Sequence, residues 1–258
     1  MLSIFLIALV VSVIINLAFF AFAFLNETDK FTDLSYGISF VIITWAYYLT
    51  SGGTSVQTLT TIMVTLWGVR LAGFLFYRIL KLKKDKRFDG IREDTGKFAK
   101  FWAMQAVAVW IILWPTIAIL DYHKPMTIGF WTVLGTLIWL KGWIIESVAD
   151  WQKSEFKSDP HNKNKWVNAG LWKYSRHPNY FGEMLCWWGI FVVALPYLTW
   201  GLAIVTAGPI FITYLLLKVT GIPPLEKKYA ETYGKDPEYT KYKMSTNLLV
   251  PVKKWKMF

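Results

Sequence analysis

The densest run of chemically capable side chains is Ser175-Arg176-His177-Pro178-Asn179-Tyr180-Phe181-Gly182-Glu183. Ser, Arg and His offer hydrogen-bond donors just before a proline, and proline opens helices because its missing N–H is no loss there. Asn179 and Tyr180 then fall in a first helical turn, where free amides and the helix dipole favour an anion. Glu183 follows Asn179 by four residues and shares its helix face. Upstream, Asp150, Lys153 and Lys157 recur at three and four residues, so one helical stripe carries a carboxylate and two cations. The pattern suits a phosphate held at a helix start beside a buried carboxylate. The plain alternative is an interfacial helix cap next to an aromatic belt residue.

Other chemistries find less support. His123, His161 and His177 are scattered over distant connections without metal-ligand spacing, so no metal site is expected. Cys186 lies in an apolar stretch with no obvious base, and no Gly-x-Ser-x-Gly elbow exists. Neither Gly-x-Gly-x-x-Gly nor a Walker sequence occurs, which excludes a soluble nucleotide-binding fold.

The elements that position these residues are set by composition: 55% hydrophobic, 17% charged and 18% aromatic residues in a chain of 258. The apolar residues come in blocks long enough to span a bilayer, which takes about 20 residues. Blocks fall at Met1–Leu25, Leu34–Leu49, Leu59–Leu80, Phe101–Leu120, Ile128–Val148, Tyr180–Tyr197 and Leu202–Val219. The first lacks a basic start and reads as a retained span rather than a cleaved signal. All seven must be helical, since open strands leave backbone groups unsatisfied in lipid. Connections after spans one, three, five and seven hold 23 of the 28 Lys and Arg, and the opposite ones hold only Lys124. By the positive-inside rule the N-terminus is outside and the C-terminal tail cytoplasmic. The expectation is therefore an all-α integral membrane protein of seven helices, one domain over residues 1–258, with 221–258 as a cytoplasmic tail or lid. The net charge of +11 then gathers on one face, suited to anionic headgroups or to a polyanionic cofactor. Nucleic acid is not an expected partner, and no obligatory protein partner is evident.

Ionisable groups inside a bilayer mark function or pairing. Asp33, Arg70, Lys141, Glu146, Glu183 and Lys218 lie in or near spans. Lys218 is expected to snorkel, Lys141 to pair with another helix, and Asp33 and Arg70 to share a buried pocket. In the tail, Tyr229, Tyr233, Tyr239 and Tyr242 stand among lysines, a composition suited to an interfacial lid.

These residues carry a resemblance. Asp150-Trp151-Gln152-Lys153 with Phe156-Lys157, Gly170-Leu171-Trp172-Lys173-Tyr174 running into Ser175–Glu183, and Gly221-Ile222-Pro223 with Glu226 resemble the bacterial branch of the steroid 5α-reductase family. Arg70-Leu71-Ala72-Gly73 and Asp85-Lys86-Arg87-Phe88 also fit. The Arg-His-Pro-Asn-Tyr core is shared with sterol C14 and C7 reductases, and a looser Arg-His-Pro form occurs in isoprenylcysteine carboxyl methyltransferases. The resemblance implies a seven-span enzyme of the bacterial inner membrane that uses NADPH to reduce the C4–C5 double bond of a 3-oxo-4-ene steroid or similar lipophilic enone. It implies cofactor contacts from Asp150, Lys153, Lys157, Trp172, Arg176, His177, Asn179, Tyr180, Glu183, Glu226 and Tyr242. Vertebrate members hold the substrate oxo group with a Gln-Glu pair and a Tyr; Asp33 and Trp67 fall at the approximate positions here, and Trp is no acid. Asp33, kept protonated by lipid burial, is then the expected proton donor, with Tyr36 one turn on as the reserve. Two rivals remain: methyl transfer from S-adenosylmethionine, and a non-enzymatic lipid-binding protein.

Overall fold

The computed structural model describes residues 2–82, 85–198 and 202–253. Lys83, Lys84, Lys254 and Lys256, counted above with the basic connections, lie outside the described residues. The helices are α1 (Leu2–Leu25), α2 (Thr32–Tyr48), α3 (Ser55–Leu82), α4 (Thr95–Ile112), α5 (Trp114–Leu120), α6 (Phe130–Ser158), α7 (Pro178–Ala194), α8 (Leu202–Tyr214), α9 (Ile222–Tyr233) and α10 (Pro237–Ser245). No strand occurs among the described residues. Among the described residues five helices are long and apolar enough to cross a membrane: Ser3–Leu25, Ser55–Lys81, Phe130–Ser158, Pro178–Tyr197 and Ile204–Tyr233. A sixth is added when α4 and α5, bent by 48° at Leu113, count as one span. The second expected span is α2, whose 17 residues extend about 25 Å at 1.5 Å per residue, against a hydrocarbon core of about 30 Å.

The chain divides into two compact units, Met1–Gly135 with Ile190–Phe211, and Thr136–Gly189 with Ile212–Phe258. In the first, α4 bends into α5 where Pro115 has no N–H for the Ile111 carbonyl. Gly208 lies against that proline; a Cβ there would approach Pro115 Cδ to 2.8 Å. The amide of Gln57 donates to the carbonyls of Ile119, Leu120 and Tyr122 at 3.0–3.2 Å, satisfying acceptors that a helix end leaves over. Helices α2 and α3 meet at Gly37 and Gly68, where a Cβ on Gly37 would stand 2.7 Å from the Gly68 carbonyl oxygen. Between α1, α2 and α4, Gln105 donates to Asn16 Oδ1 at 2.9 Å and Ser35 Oγ at 2.8 Å.

The charged connection after α3 is tied down by ion pairs. Asp29 Oδ2 takes Arg92 at 2.6 Å and the Asp85 amide at 3.1 Å. Asp33 Oδ2 takes Arg78 at 3.0 Å and Arg87 at 2.8 Å. The expected pocket of Asp33 with Arg70 is therefore corrected. The start of α2 meets the far end of α3, two turns beyond Arg70, so Arg78 supplies the partner. Two guanidinium groups thus share one oxygen of Asp33, the residue expected as proton donor. Lys141, expected to pair, is exposed on α6 and forms no ion pair among the described residues, its long stem letting the ammonium clear the helix surface.

In the second unit, α6 and α7 come together at Gly142 and Gly182; a Cβ on Gly182 would meet the Gly142 carbonyl oxygen and the Glu146 amide nitrogen at 2.6 Å. The Cys186 thiol faces the Trp139 carbonyl at 3.7 Å and the buried Glu146 carboxylate at 4.0 Å. Helix α8 runs into a wide π turn, Leu215–Val219. Its exit is tight, since a Cβ on Gly221 would lie 2.5 Å from the Leu216 oxygen. Prolines in the first turn start α9 and α10, and Asp236 caps α10 by accepting from the Glu238 amide at 2.8 Å.

Candidate functional site

The long connection from α6 to α7 is anchored first by Gln152. Its Oε1 accepts the Leu171 amide at 2.9 Å. Its side chain lies where a Cβ on Gly170 would be, and Gly170 has a φ of +57°, so glycine is required there twice over. Trp172, 2% exposed, donates its indole N–H to the Ala149 carbonyl at 2.9 Å. Lys153 sits over the Trp172 ring at 4.9 Å. Tyr242 of α10 donates to the Trp172 carbonyl at 2.7 Å.

The chain then meets the tail. Arg176 donates its amide to the Asn247 carbonyl at 2.9 Å, the Asn247 amide returns to Tyr174 at 3.2 Å, and Ser175 Oγ donates to the Leu249 carbonyl at 2.6 Å. This isolated bridge holds Arg176 and His177 against α9. Arg176 forks onto Glu226 at 3.1 and 3.3 Å and donates to the carbonyls of Lys243 at 2.8 Å and Thr246 at 3.4 Å. His177 Nε2 lies 2.9 Å from Glu226 Oε1, and Lys243 Nζ 3.6 Å from Oε2. Burial pushes the His177 pKa below its ordinary value, so the ring is neutral near pH 7 and its Nε2–H donates a hydrogen bond to the Glu226 carboxylate. The His177 and Tyr180 rings stack at 5.7 Å and 8°. Asn179 donates to the buried Asp150 at 3.2 Å.

Residues 19–246 match the model of a family described as a protein of unknown function (DUF1295). The chain belongs to that family. No curated protein and no solved structure matches it.

In this DUF1295 member the residues read as cofactor contacts form three contacting groups: Asp150 with Asn179; Lys153, Trp172 and Tyr242; and Arg176, His177, Tyr180 and Glu226. Lys157 is turned to the Lys165 carbonyl, and Glu183 is buried on α7, one turn after Asn179. Asp33 and Tyr36 belong to the other unit, where Tyr36 packs edge-on to Phe40 at 5.0 Å and Trp67 at 6.5 Å. Sequence reasoning passed over Trp166 and Lys243. Trp166 packs on Tyr233, Tyr239 and Tyr242 with ring centres at 5.6, 5.2 and 6.2 Å. The pairs Tyr229/Tyr233 and Tyr239/Tyr242, four and three residues apart, were the available signal that the tail forms two helices with an aromatic face.

Chemically, one carboxylate is gripped by a guanidinium, an imidazole and an ammonium, an anion position occupied by the chain's own Glu226. Among the described residues no group of His, Cys, Asp and Glu is arranged to hold a metal ion.

Proposed function

We propose that this chain is a seven-span membrane reductase of the steroid 5α-reductase type, N-terminus outside and tail in the cytoplasm of a bacterial inner membrane. Its reaction is the NADPH-dependent reduction of the C4–C5 double bond of a 3-oxo-4-ene steroid or similar lipophilic enone. The supporting observation is that α6, the 159–177 connection, α7, α9 and α10 of one unit deliver residues that the resemblance names for the cofactor into three contacting groups, Arg176 gripping Glu226 in one of them. The donor set fits the group. Arg176, Lys153, Lys157 and Lys243 are cations for phosphates, and Trp172 and Tyr242 are faces for rings.

NADPH would supply hydride to the enone when bound. Arg176 and the lysines would neutralise its phosphates, in exchange for the carboxylate that Arg176 now holds. Asp150 holds the Asn179 amide in place. As charge gathers on the substrate oxygen, a donor aimed at it lowers the barrier more than it stabilises the ground state. The proton for the substrate carbon comes from a side-chain acid, for which Asp33 and Tyr36 are the candidates that the resemblance offers.

The test is anaerobic turnover by the purified protein in lipid nanodiscs, with NADPH and a 3-oxo-4-ene steroid or simpler enone lipids. The expected result is loss of reduced-nicotinamide absorbance matched by saturated ketone in the mass spectrum. No consumption with any enone, together with stabilisation by S-adenosylmethionine alone, overturns the proposal in favour of methyl transfer.

A further inference from the structure

The last described stretch of the tail turns hydrophobic side chains outward. Leu248, Val250 and Val252 are 40%, 42% and 56% exposed, whereas Asn247, Leu249 and Pro251, which alternate with them, are half-buried. Single exposed apolar residues are ordinary on a protein surface, but three at alternate positions make a stripe, and contiguous apolar surface marks an interaction site. The backbone beneath them is pinned. The Asn247 carbonyl and amide bond Arg176 and Tyr174, the Leu249 carbonyl takes Ser175 Oγ, and Asn247 Nδ2 donates to the Val252 carbonyl at 2.6 Å. Turning the three side chains inward would break those bonds, so their exposure is built into the fold.

The height of this stripe follows from α7. The apolar helix Pro178–Tyr197 has 20 residues, or about 30 Å at about 1.5 Å per residue, which matches the hydrocarbon core of a bilayer at about 30 Å. Pro178 therefore stands at one edge of the core, and the Ser175–Asn247 bridge, just before it, lies in the headgroup layer. Trp151 agrees. It is 60% exposed and follows the Asp150 that holds Asn179, and an exposed Trp at that depth is an aromatic-belt residue. Charge selects the lipid. Lys173, whose carbonyl accepts from Thr246 at 3.4 Å, is exposed, as are Lys241 and Lys253 on either side of the stripe in sequence. No Asp or Glu occurs from Tyr239 to Lys253. A second copy of the chain would bring lysines against lysines, and an apolar peptide would leave them without counter-charge. From these observations we infer that residues 246–253 dock on the bilayer, Leu248, Val250 and Val252 entering the acyl boundary while the three lysines meet anionic headgroups. Docking of this kind needs none of the reductase chemistry; it rests on α7 crossing a bilayer. Because the same backbone holds Tyr174, Ser175 and Arg176, an anionic leaflet braces the connection that opens α7.

The experiment places the full-length protein in nanodiscs of phosphatidylcholine alone, or of equal parts phosphatidylcholine and phosphatidylglycerol, without nucleotide or enone. Val250→Cys and Glu231→Cys, the latter at an exposed position of α9, carry an environment-sensitive fluorophore; Cys186, 1% exposed, is shielded from the reagent. Near-ultraviolet circular dichroism checks that the variants are folded. The Val250 label is expected to be quenched by doxyl groups on the lipid acyl chains in the anionic discs, and the Glu231 label is not. In the unlabelled protein, amide hydrogen exchange over residues 246–252 is expected to be slower in the anionic discs. Lys241→Gln and Lys253→Gln should each remove about fivefold of that difference, the share of one lysine near a charged surface. A Val250 label no more quenched than the Glu231 label, or exchange equal in the two kinds of disc, overturns the inference. Exchange that slows only when two copies share a disc assigns the stripe to a second copy and overturns it as well. Neither result touches the reductase reading, which NADPH turnover tests separately.

Discussion

The pair Arg176–Glu226 joins α9 to the connection that opens α7, and its removal has a calculable consequence. Arg176 makes two bonds to the carboxylate, at 3.1 and 3.3 Å, and donates to two backbone carbonyls. The side chains are 13% and 17% exposed, so the pair is mostly out of water. Removing one partner of a buried pair costs about 3–5 kcal/mol. Here His177 at 2.9 Å and Lys243 at 3.6 Å still face Glu226, which lowers the expected cost of Arg176→Met to about 2–3 kcal/mol. Glu226→Gln keeps an acceptor oxygen and costs about 1–2 kcal/mol. Because the two changes remove the same contact, the double variant falls short of their sum by about 1–2 kcal/mol. Chemical denaturation in micelles followed by tryptophan fluorescence measures all four proteins. A coupling within about 0.3 kcal/mol of zero would refute the reasoning, since the two side chains would then be held in place independently.

Further outcomes follow from the local surroundings of single residues. Gly182→Ala drives a Cβ to 2.6 Å from backbone of α6 and is expected to cost about 1–3 kcal/mol. Gly73→Ala, with open space around it, is neutral or slightly stabilising, both variants being compared with wild type by thermal unfolding. His177 has a folded-state pKa depressed by burial, so the unfolded chain takes up the proton more readily. Stability is therefore intact above the ordinary value of about 6.5 and declines as pH falls from there through the folded-state value; His177→Gln flattens that decline in unfolding midpoints measured across the range. In the first unit, Asp29→Asn leaves Arg92, 9% exposed, with Asp89 and Glu93 still paired to it, and costs about 1–2 kcal/mol. Asp33→Asn, facing arginines 37% and 57% exposed, costs under about 1 kcal/mol.

What the sequence made legible was whatever depends on near neighbours. The block Met1–Leu25 is α1 within a residue, and Leu34–Leu49 lies within two residues of α2 at either end, because apolar length alone decides a lipid-facing helix. The stripe Asp150, Lys153, Lys157 is helical because α6 continues ten residues past the expected end at Val148. The bend at Leu113 follows from Pro115, a local cause that hydropathy averages away. Partners distant in sequence stayed hidden. Nothing near Asp33 says that Arg78 and Arg87 face it, and nothing near Arg176 says that Glu226, fifty residues on, fills its fork. The length of α2 and the continuity of α8 through a π turn into α9 likewise depend on packing, so a span count from hydropathy differs from a count of long helices.

Direct NADPH binding tests the proposed dinucleotide site around Arg176 with least intervention. Titrating NADPH into the purified protein, with emission of the reduced nicotinamide as the signal, should give saturable binding. That binding should weaken at least about tenfold in Arg176→Met, the loss of one charge-assisted contact, and S-adenosylmethionine should not compete. Absence of saturable binding to the folded wild-type protein, or binding untouched by loss of Arg176, would contradict it.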